Sequence, residues 1–331
     1  MKGFLFSAFT ALLPCIFGAL VPFDDWEYQR VALKDVNILF RYAGSGPPVM
    51  LVHGFPQHSL TWHTIGPILA QNYTVIAVDI RGMGQSTIPA SGDYTSSTAA
   101  EDLKGVLDFL SINQTYIVAH DKGNGQTAAL NAKYRSLIKR AVYSEYALPG
   151  FGYEDAVSRE FGVTGLYQNW QLAFFSVPDA AQYFIQGREK EMLAWYFWHS
   201  SYSGNSAISQ DYLDRYTREI SKPGFLRAGL QYFATTKQDA EFFNSTLRGN
   251  PWHNPSLFLG GESDIASVSV LQMLWGPVAS NASYDIVPKA GHWLGDENPT
   301  WTANRIASFL SEDDGIPSVD LSYLKNKVTL N

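Results

Sequence analysis

The chain has 331 residues, enough for one large α/β domain with an insertion or for two small domains. Hydrophobic residues are 46% and charged residues only 17%, which supplies a large core and argues against long disordered runs. The net charge of −7, with no basic cluster, argues against nucleic acid as a partner.

Lys2 opens an apolar run, "GFLFSAFTALLPCIFGALV", of the length of a secretory signal, closed by Gly18 and Ala19. Its cleavage pattern is imperfect, because Phe17 or Ile16 stands where a small residue is expected. The expectation is a signal peptide over residues 1–20, or a signal anchor; only a retained segment brings in a membrane. The single cysteine, Cys15, lies in this run, so a mature chain would carry no disulfide. Sequons at Asn72, Asn113, Asn244 and Asn281 add to the signal and predict an N-glycosylated protein, secreted or in the secretory lumen of a eukaryote.

Strand and helix patterns then alternate. "VNILFRYAG" reads as a strand, and "PVMLVHGF" as a strand buried on both faces. "TWHTIGPILAQ" suits a helix, and "YTVIAVDIRGMGQS" a second buried strand with a glycine-rich exit. "STAAEDLKGVLDFLSI" predicts a helix capped by Ser97 or Thr98, with Glu101 completing a capping box. "TYIVAHDKGNGQTAALNAKY" reads as strand, turn and helix, and "IKRAVYSEYALPG" as a further strand. Residues 150–248 are aromatic-rich and helical. The strand pattern returns with "PSLFLGGESD" and "ASYDIVPKAGH", and a last helix follows in "NPTWTANRIASFL". The predicted fold is α/β: a mostly parallel sheet flanked by helices (21–149 and 249–312), an inserted helical cap (150–248) and a surface extension (313–331).

Ala119-His120-Asp121-Lys122-Gly123 has small residues flanking a strand-to-helix turn, the pattern that exposes a nucleophile. The middle residue is a carboxylate. With an ordinary pKa of about 3.9 it is ionised before any base acts, so it can attack an sp³ carbon bearing a leaving group and form an ester. A helix cap is the plainer use of such an aspartate. "HGFPQ" ends a buried strand and offers the N–H of Phe55, which with the N–H of Lys122 forms a candidate oxyanion hole. "KAGHWLGDENP" puts His292 after the last strand as candidate base. Its orienting acid is Glu145 or Asp264, each at a strand end. His53 is read as bracing its turn, His120 as packing beside the elbow, and His58, His63, His199 and His253 as structural or surface residues. No metal-ligand cluster or phosphate loop implies a metal or organic cofactor.

"HGFPQHSLTWHTIGPILAQNYTVIAVDIRGMGQS", "AHDKGNGQ" and "AGHWLGDENP" together resemble the epoxide hydrolase and haloacid/haloalkane dehalogenase branch of the α/β-hydrolase fold, over nearly all of residues 28–312. The resemblance implies Asp121 as nucleophile and His292 as base, and favours Glu145 over Asp264. It also implies two cap acids that bind an epoxide oxygen. The matching positions are Gln171 and Phe233, with Trp170 and Tyr232 as neighbours able to substitute. Haloacetate dehalogenases hold a substrate carboxylate with arginines where this chain has Lys122 and Gly125, and Trp62 and Trp170 are candidates to line a halide or aromatic pocket. The expected function is hydrolysis of a bulky apolar epoxide, a small-molecule substrate. The alternatives are a dehalogenase, or a cyclase or other non-hydrolytic member of a secondary-metabolite pathway.

Overall fold

The computed structural model describes residues 20–157, 166–312 and 315–327. The signal expected over residues 1–20 lies outside them apart from Leu20. No helix among the described residues is long and apolar enough to cross a membrane.

Eight strands form one sheet: β1 (Glu27–Ala32), β2 (Asn37–Ala43), β3 (Pro48–Val52), β4 (Thr74–Val78), β5 (Thr115–His120), β6 (Ile138–Ser144), β7 (Ser256–Gly261) and β8 (Ala282–Val287). Their spatial order is β1-β2-β4-β3-β5-β6-β7-β8. Every pairing from β4 to β8 is parallel, whereas β2 pairs antiparallel with both β1 and β4. The helices are α1 (Ile65–Leu69), α2 (Ser96–Phe109), α3 (Lys122–Lys133), α4 (Leu166–Phe175), α5 (Pro178–Ile185), α6 (Glu189–His199), α7 (Gln210–Ile220), α8 (Phe225–Ala234), α9 (Thr236–Leu247), α10 (Val268–Trp275), α11 (Leu294–Glu297) and α12 (Pro299–Ser311). All residues of β3, β4, β5 and β7 are buried, which is why those strands read as unbroken apolar runs instead of alternating ones.

The order of strands positions the site. From β3 the chain goes to β4 on one side, then crosses back over β3 to reach β5 on the other. The winding therefore reverses at β3, and a crevice opens between the carboxyl ends of β3 and β5. Among the described residues, six helices, α4 to α9, lie in the chain between β6 and β7. They meet the sheet domain through an aromatic cluster, in which Phe55 lies 5.3 Å from Phe175 and 5.1 Å from Phe233 between ring centroids. A polar tie reinforces it: Tyr232 of α8 donates to the carbonyl of Arg81, whose guanidinium is held by both oxygens of Asp102 in α2.

Several local expectations change. The cap of α2 is Thr95, whose hydroxyl accepts from the Thr98 N–H, so the helix starts earlier than a Ser97 or Thr98 cap implies. Glu101 instead accepts from the Tyr134 hydroxyl and pairs with Lys133. The expected helix over 61–71 is split into a 3-10 turn, Ser59–Trp62, and the short α1. β1 was not apparent in the sequence, since its six residues bury only part of one face. The tail also departs from a plain surface extension. Val319 bridges to Gly46, Leu324 is buried, and Gln29 of β1 donates to the Leu324 carbonyl.

Candidate active site

Asp121 lies between β5 and α3 with φ 47° and ψ −129°, a conformation that side chains rarely adopt and that costs on the order of 1–3 kcal/mol. The turn is held from below. The Asn124 amide donates to the carbonyls of Asp121 and Ser144, and its oxygen accepts from the Ser144 N–H. Gly123 permits the bend, because a Cβ there would press on the carbonyls of Val52 and His53. The Phe55 N–H donates to Asp121 Oδ1 at 2.8 Å. Behind Phe55, His53 is fully buried, with Nδ1 2.9 Å from the Gly54 carbonyl and Nε2 accepting from the Ile80 N–H.

His292 stands on the loop after β8, with its N–H donating to the Ser200 carbonyl at the end of α6. Its Nε2 is 3.6 Å from Asp121 Oδ2, an ion-pair separation slightly long for a direct hydrogen bond. Its Nδ1 faces two carboxylates, Glu145 Oε2 at 3.2 Å and Asp264 Oδ2 at 3.4 Å. Thus the fold brings both candidate acids to one nitrogen. They differ in setting. Glu145 is buried, adopts φ 53° and accepts from the Gly261 N–H, whereas the Asp264 side chain is 34% exposed.

These charges perturb one another. Burial opposes the imidazolium, but the carboxylates of Asp121, Asp264 and Glu145 together hold the His292 pKa well above the ordinary histidine range. Burial and the Asp264 charge push Glu145 up to about 8 against the pull of His292. Burial would raise Asp121 as well, yet His292 at ion-pair distance, with the charges of His120 and Lys122, keeps it below the usual carboxylate value. Both directions favour an ion pair, an Asp121 carboxylate facing a His292 imidazolium.

The chemistry opens onto a cavity of about 630 Å³, lined among others by Asp121, Glu145, Asp264 and His292. The model of the alpha/beta hydrolase fold family matches residues 47–299. The chain belongs to the α/β-hydrolase fold family.

Among α/β hydrolases it is similar to fluoroacetate dehalogenase of Burkholderia sp, with 27% identity over 88% of this chain and 95% of the relative. It is equally similar to the soluble epoxide hydrolase of Corynebacterium sp. (strain C12), 27% identical over 86% of this chain and 97% of that one. The solved structure of the epoxide hydrolase CorEH superposes with a TM-score of 0.77 at 25% identity, over 86% of this chain and 99% of that chain. Cfl2 from Burkholderia cenocepacia does so with a TM-score of 0.78, again at 25% identity, over 85% of this chain and 95% of its own.

The cap-side residues of this α/β hydrolase fall differently from expectation. Gln171 lines the cavity and is buried, with its Oε1 unpartnered. Its neighbour Trp170 is 46% exposed and packs on Trp195 and Phe174, because adjacent residues on a helix point about 100° apart. Tyr232 is committed to the Arg81 carbonyl, so neither neighbour substitutes in the cavity. Phe233 packs against Phe55 and Phe175. Trp62 ends the 3-10 turn and packs beside Ile65 and Val118 in a separate small cavity, away from Asp121. Tyr146 and Tyr153, which the sequence did not single out, line the site, as does Tyr196 of the aromatic cap. His199, expected to be a structural or surface residue, lines it too. Tyr146 directly follows Glu145, a position that could have been noticed. Tyr153 carries no local signal.

Gly54 is the other omission. A Cβ there would stand 2.3 Å from Asp121 Oδ1 and 2.6 Å from Lys122 N. Gly54→Ala must therefore displace the carboxylate. Turnover should fall by about 100-fold or more, the effect of losing one oxyanion donor, while the circular dichroism spectrum stays native. Unchanged turnover would show that Phe55 and Asp121 do not need this spacing.

Proposed function

We propose that this α/β hydrolase uses Asp121 to attack an sp³ carbon bearing oxygen or halogen, forming an alkyl-enzyme ester that His292-activated water then cleaves, and that its substrate is a bulky apolar epoxide. The observation that carries this reading is the Asp121 carboxylate itself, ionised on a strained elbow, with one oxygen on the Phe55 N–H and the other facing His292. A carboxylate in that setting needs no base to attack. Once alkylated, it loses its charge, and with it a principal cause of the raised His292 pKa. His292 then becomes able to accept a proton from water at the stage that requires it. The Phe55 and Lys122 N–H groups would bind the oxyanion formed as water adds.

The cavity supports a sizeable apolar substrate, since Leu172, Ile265, Val270, Met273 and Leu274 join the tyrosines in lining it. The similarity to an enzyme named as an epoxide hydrolase supports the oxygen leaving group. Dehalogenation is the second reading. It is favoured by the similarity to a fluoroacetate dehalogenase and by Lys122, the one lysine or arginine among the described lining residues.

A first turnover in ¹⁸O-water should leave label in Asp121, and a second in ordinary water should pass it to product; active enzyme without label would refute the covalent route. His292→Gln should accumulate a protein adduct of substrate mass, seen by intact mass spectrometry. Diol without halide marks the first reading, and halide from halo-acids the second.

Glu145 is the proposed orienting acid, because it is buried and anchored by the Gly261 N–H. Glu145→Gln should lower kcat by about 100-fold or more, and Asp264→Asn by less. The reverse ranking, measured under the same conditions, would transfer the role to Asp264.

We infer further that the protein passes through a secretory pathway. Asn72, Asn113 and Asn281 are exposed and Asn244 is half-buried, so the sequons are sterically available to differing degrees. Protein from a eukaryotic secretory host should gain mobility after peptide N-glycosidase F treatment. An unshifted band counts against glycosylation.

A further inference from the structure

Opening an epoxide leaves an alkoxide, and a group lining the cavity can supply its proton as it forms. The two cap positions expected to do so cannot. Gln171 can donate a hydrogen bond but has no acidic proton, and Phe233 has no donor. Lys122 fills the need from beside Phe233. The residue is 4% exposed, and it lines the cavity next to Asp121. Its Nζ donates to Tyr153 Oη at 3.0 Å and lies 4.2 Å from the Phe233 ring centroid, 4.3 Å from that of Tyr153 and 5.4 Å from that of Tyr146. Among the described residues no carboxylate pairs with this ammonium. A lysine buried in a box of rings, with one hydrogen-bonded partner for three N–H groups, is costly to keep charged unless something else uses the charge.

We propose that the Lys122 ammonium is the acid that protonates the departing oxygen as Asp121 attacks carbon. This role rests on Asp121 being the nucleophile. An Asp121 oxygen forms a bond to the epoxide carbon, the ring C–O bond breaks, and its electron pair goes to oxygen. That oxygen takes a proton from Nζ, leaving a neutral amine and a hydroxyalkyl ester. With the Asp121 charge gone, His292 gives up its proton to the Lys122 amine. Water then adds to the ester carbonyl and gives a proton to the neutral His292. Collapse expels the product oxygen, which takes that proton back. Asp121 is released as a carboxylic acid, and its proton returns to His292. The sum is epoxide plus water to diol.

The surroundings suit this exchange. Asp121 at the elbow, Asp239 of α9, Tyr146 after β6 and Tyr153 in the 3-10 turn Tyr153–Val157 face the ammonium. Burial lowers the Lys122 pKa to about 8, opposed by Asp121 and Asp239. The competing hydroxyls go the other way, since burial pushes Tyr153 and Tyr196 strongly up and makes them poor acids. Alkylation also neutralises Asp121, so the larger of the two charges that hold the proton on Lys122 disappears as the alkoxide forms.

The test compares two probes of similar size in a His292→Gln background, where the ester accumulates. Styrene oxide needs a proton to open, whereas 2-phenylethyl bromide releases bromide without one. Intact mass spectrometry gives the rate of ester formation from each. Lys122→Met should lower the epoxide-to-bromide rate ratio by about 100-fold or more, the usual worth of a general acid. Lys122→Arg should lower it too, because arginine keeps the charge but holds its proton too tightly. With Lys122 present, the epoxide rate should fall above about pH 8 and the bromide rate should not. A ratio unchanged in Lys122→Met overturns the proposal, as does a ratio that falls only in Tyr153→Phe. Ester from the bromide alone, with Lys122 intact, keeps the nucleophile and overturns the acid. Ester from neither probe overturns the covalent reading and this role together.

Discussion

The hydrogen bond from the Phe55 N–H to Asp121 Oδ1 joins the two halves of the sheet's reversal point. It requires β3 and β5 to lie side by side, so that the loop leaving one reaches the elbow leaving the other. It requires Gly54, because a side chain there would occupy the space of the carboxylate. It also involves the cap, since the Phe55 ring is gripped by Phe175 and Phe233 while its N–H serves the site. One residue thus transmits cap packing to the position of a backbone donor. Displacing the cap helices would move the donor without touching the sheet.

The electrostatics follow a similar economy. His292 is the hinge of a row of charges, with Asp121 on one nitrogen and Glu145 and Asp264 on the other. Two carboxylates crowd one N–H, so they compete, and the buried one is pushed toward its neutral form. Asp264, also lining the cavity, is partly exposed and keeps contact with solvent. On the far side of Asp121, Lys122 balances the excess. The site is therefore nearly neutral as a whole, although most of its members are buried and charged.

Much of this was legible in the sequence, for physical reasons. Strands buried on both faces leave continuous apolar runs, so "PVMLV" and "TYIVA" announce themselves. The elbow is legible because its crowded backbone admits few residue types beside Asp121. His292 is legible because it must follow the last strand. What was hidden depends on directions that only packing decides. Tyr232 and Gln171 both sit on cap helices, yet one bonds the Arg81 carbonyl and the other enters the cavity. Trp62 looked like a pocket residue, but the turn that carries it faces the core. Tyr153 comes from a short 3-10 segment with no periodicity to read. The residues alone offered both acids and only the resemblance favoured Glu145, because both strand ends converge on the same nitrogen.

Asp121 and Glu145 share a property unusual for side-chain-bearing residues: both have positive φ, 47° and 53°. Glycine would occupy either position with less conformational resistance. The sequence that folds most securely and the sequence that can do chemistry therefore differ at these same two positions. Selection for stability alone would erode the site at these two positions first. A stabilised variant obtained without an activity screen would be informative in that light, because any glycine appearing at 121 or 145 would mark where the fold gives up stability to hold reactive groups.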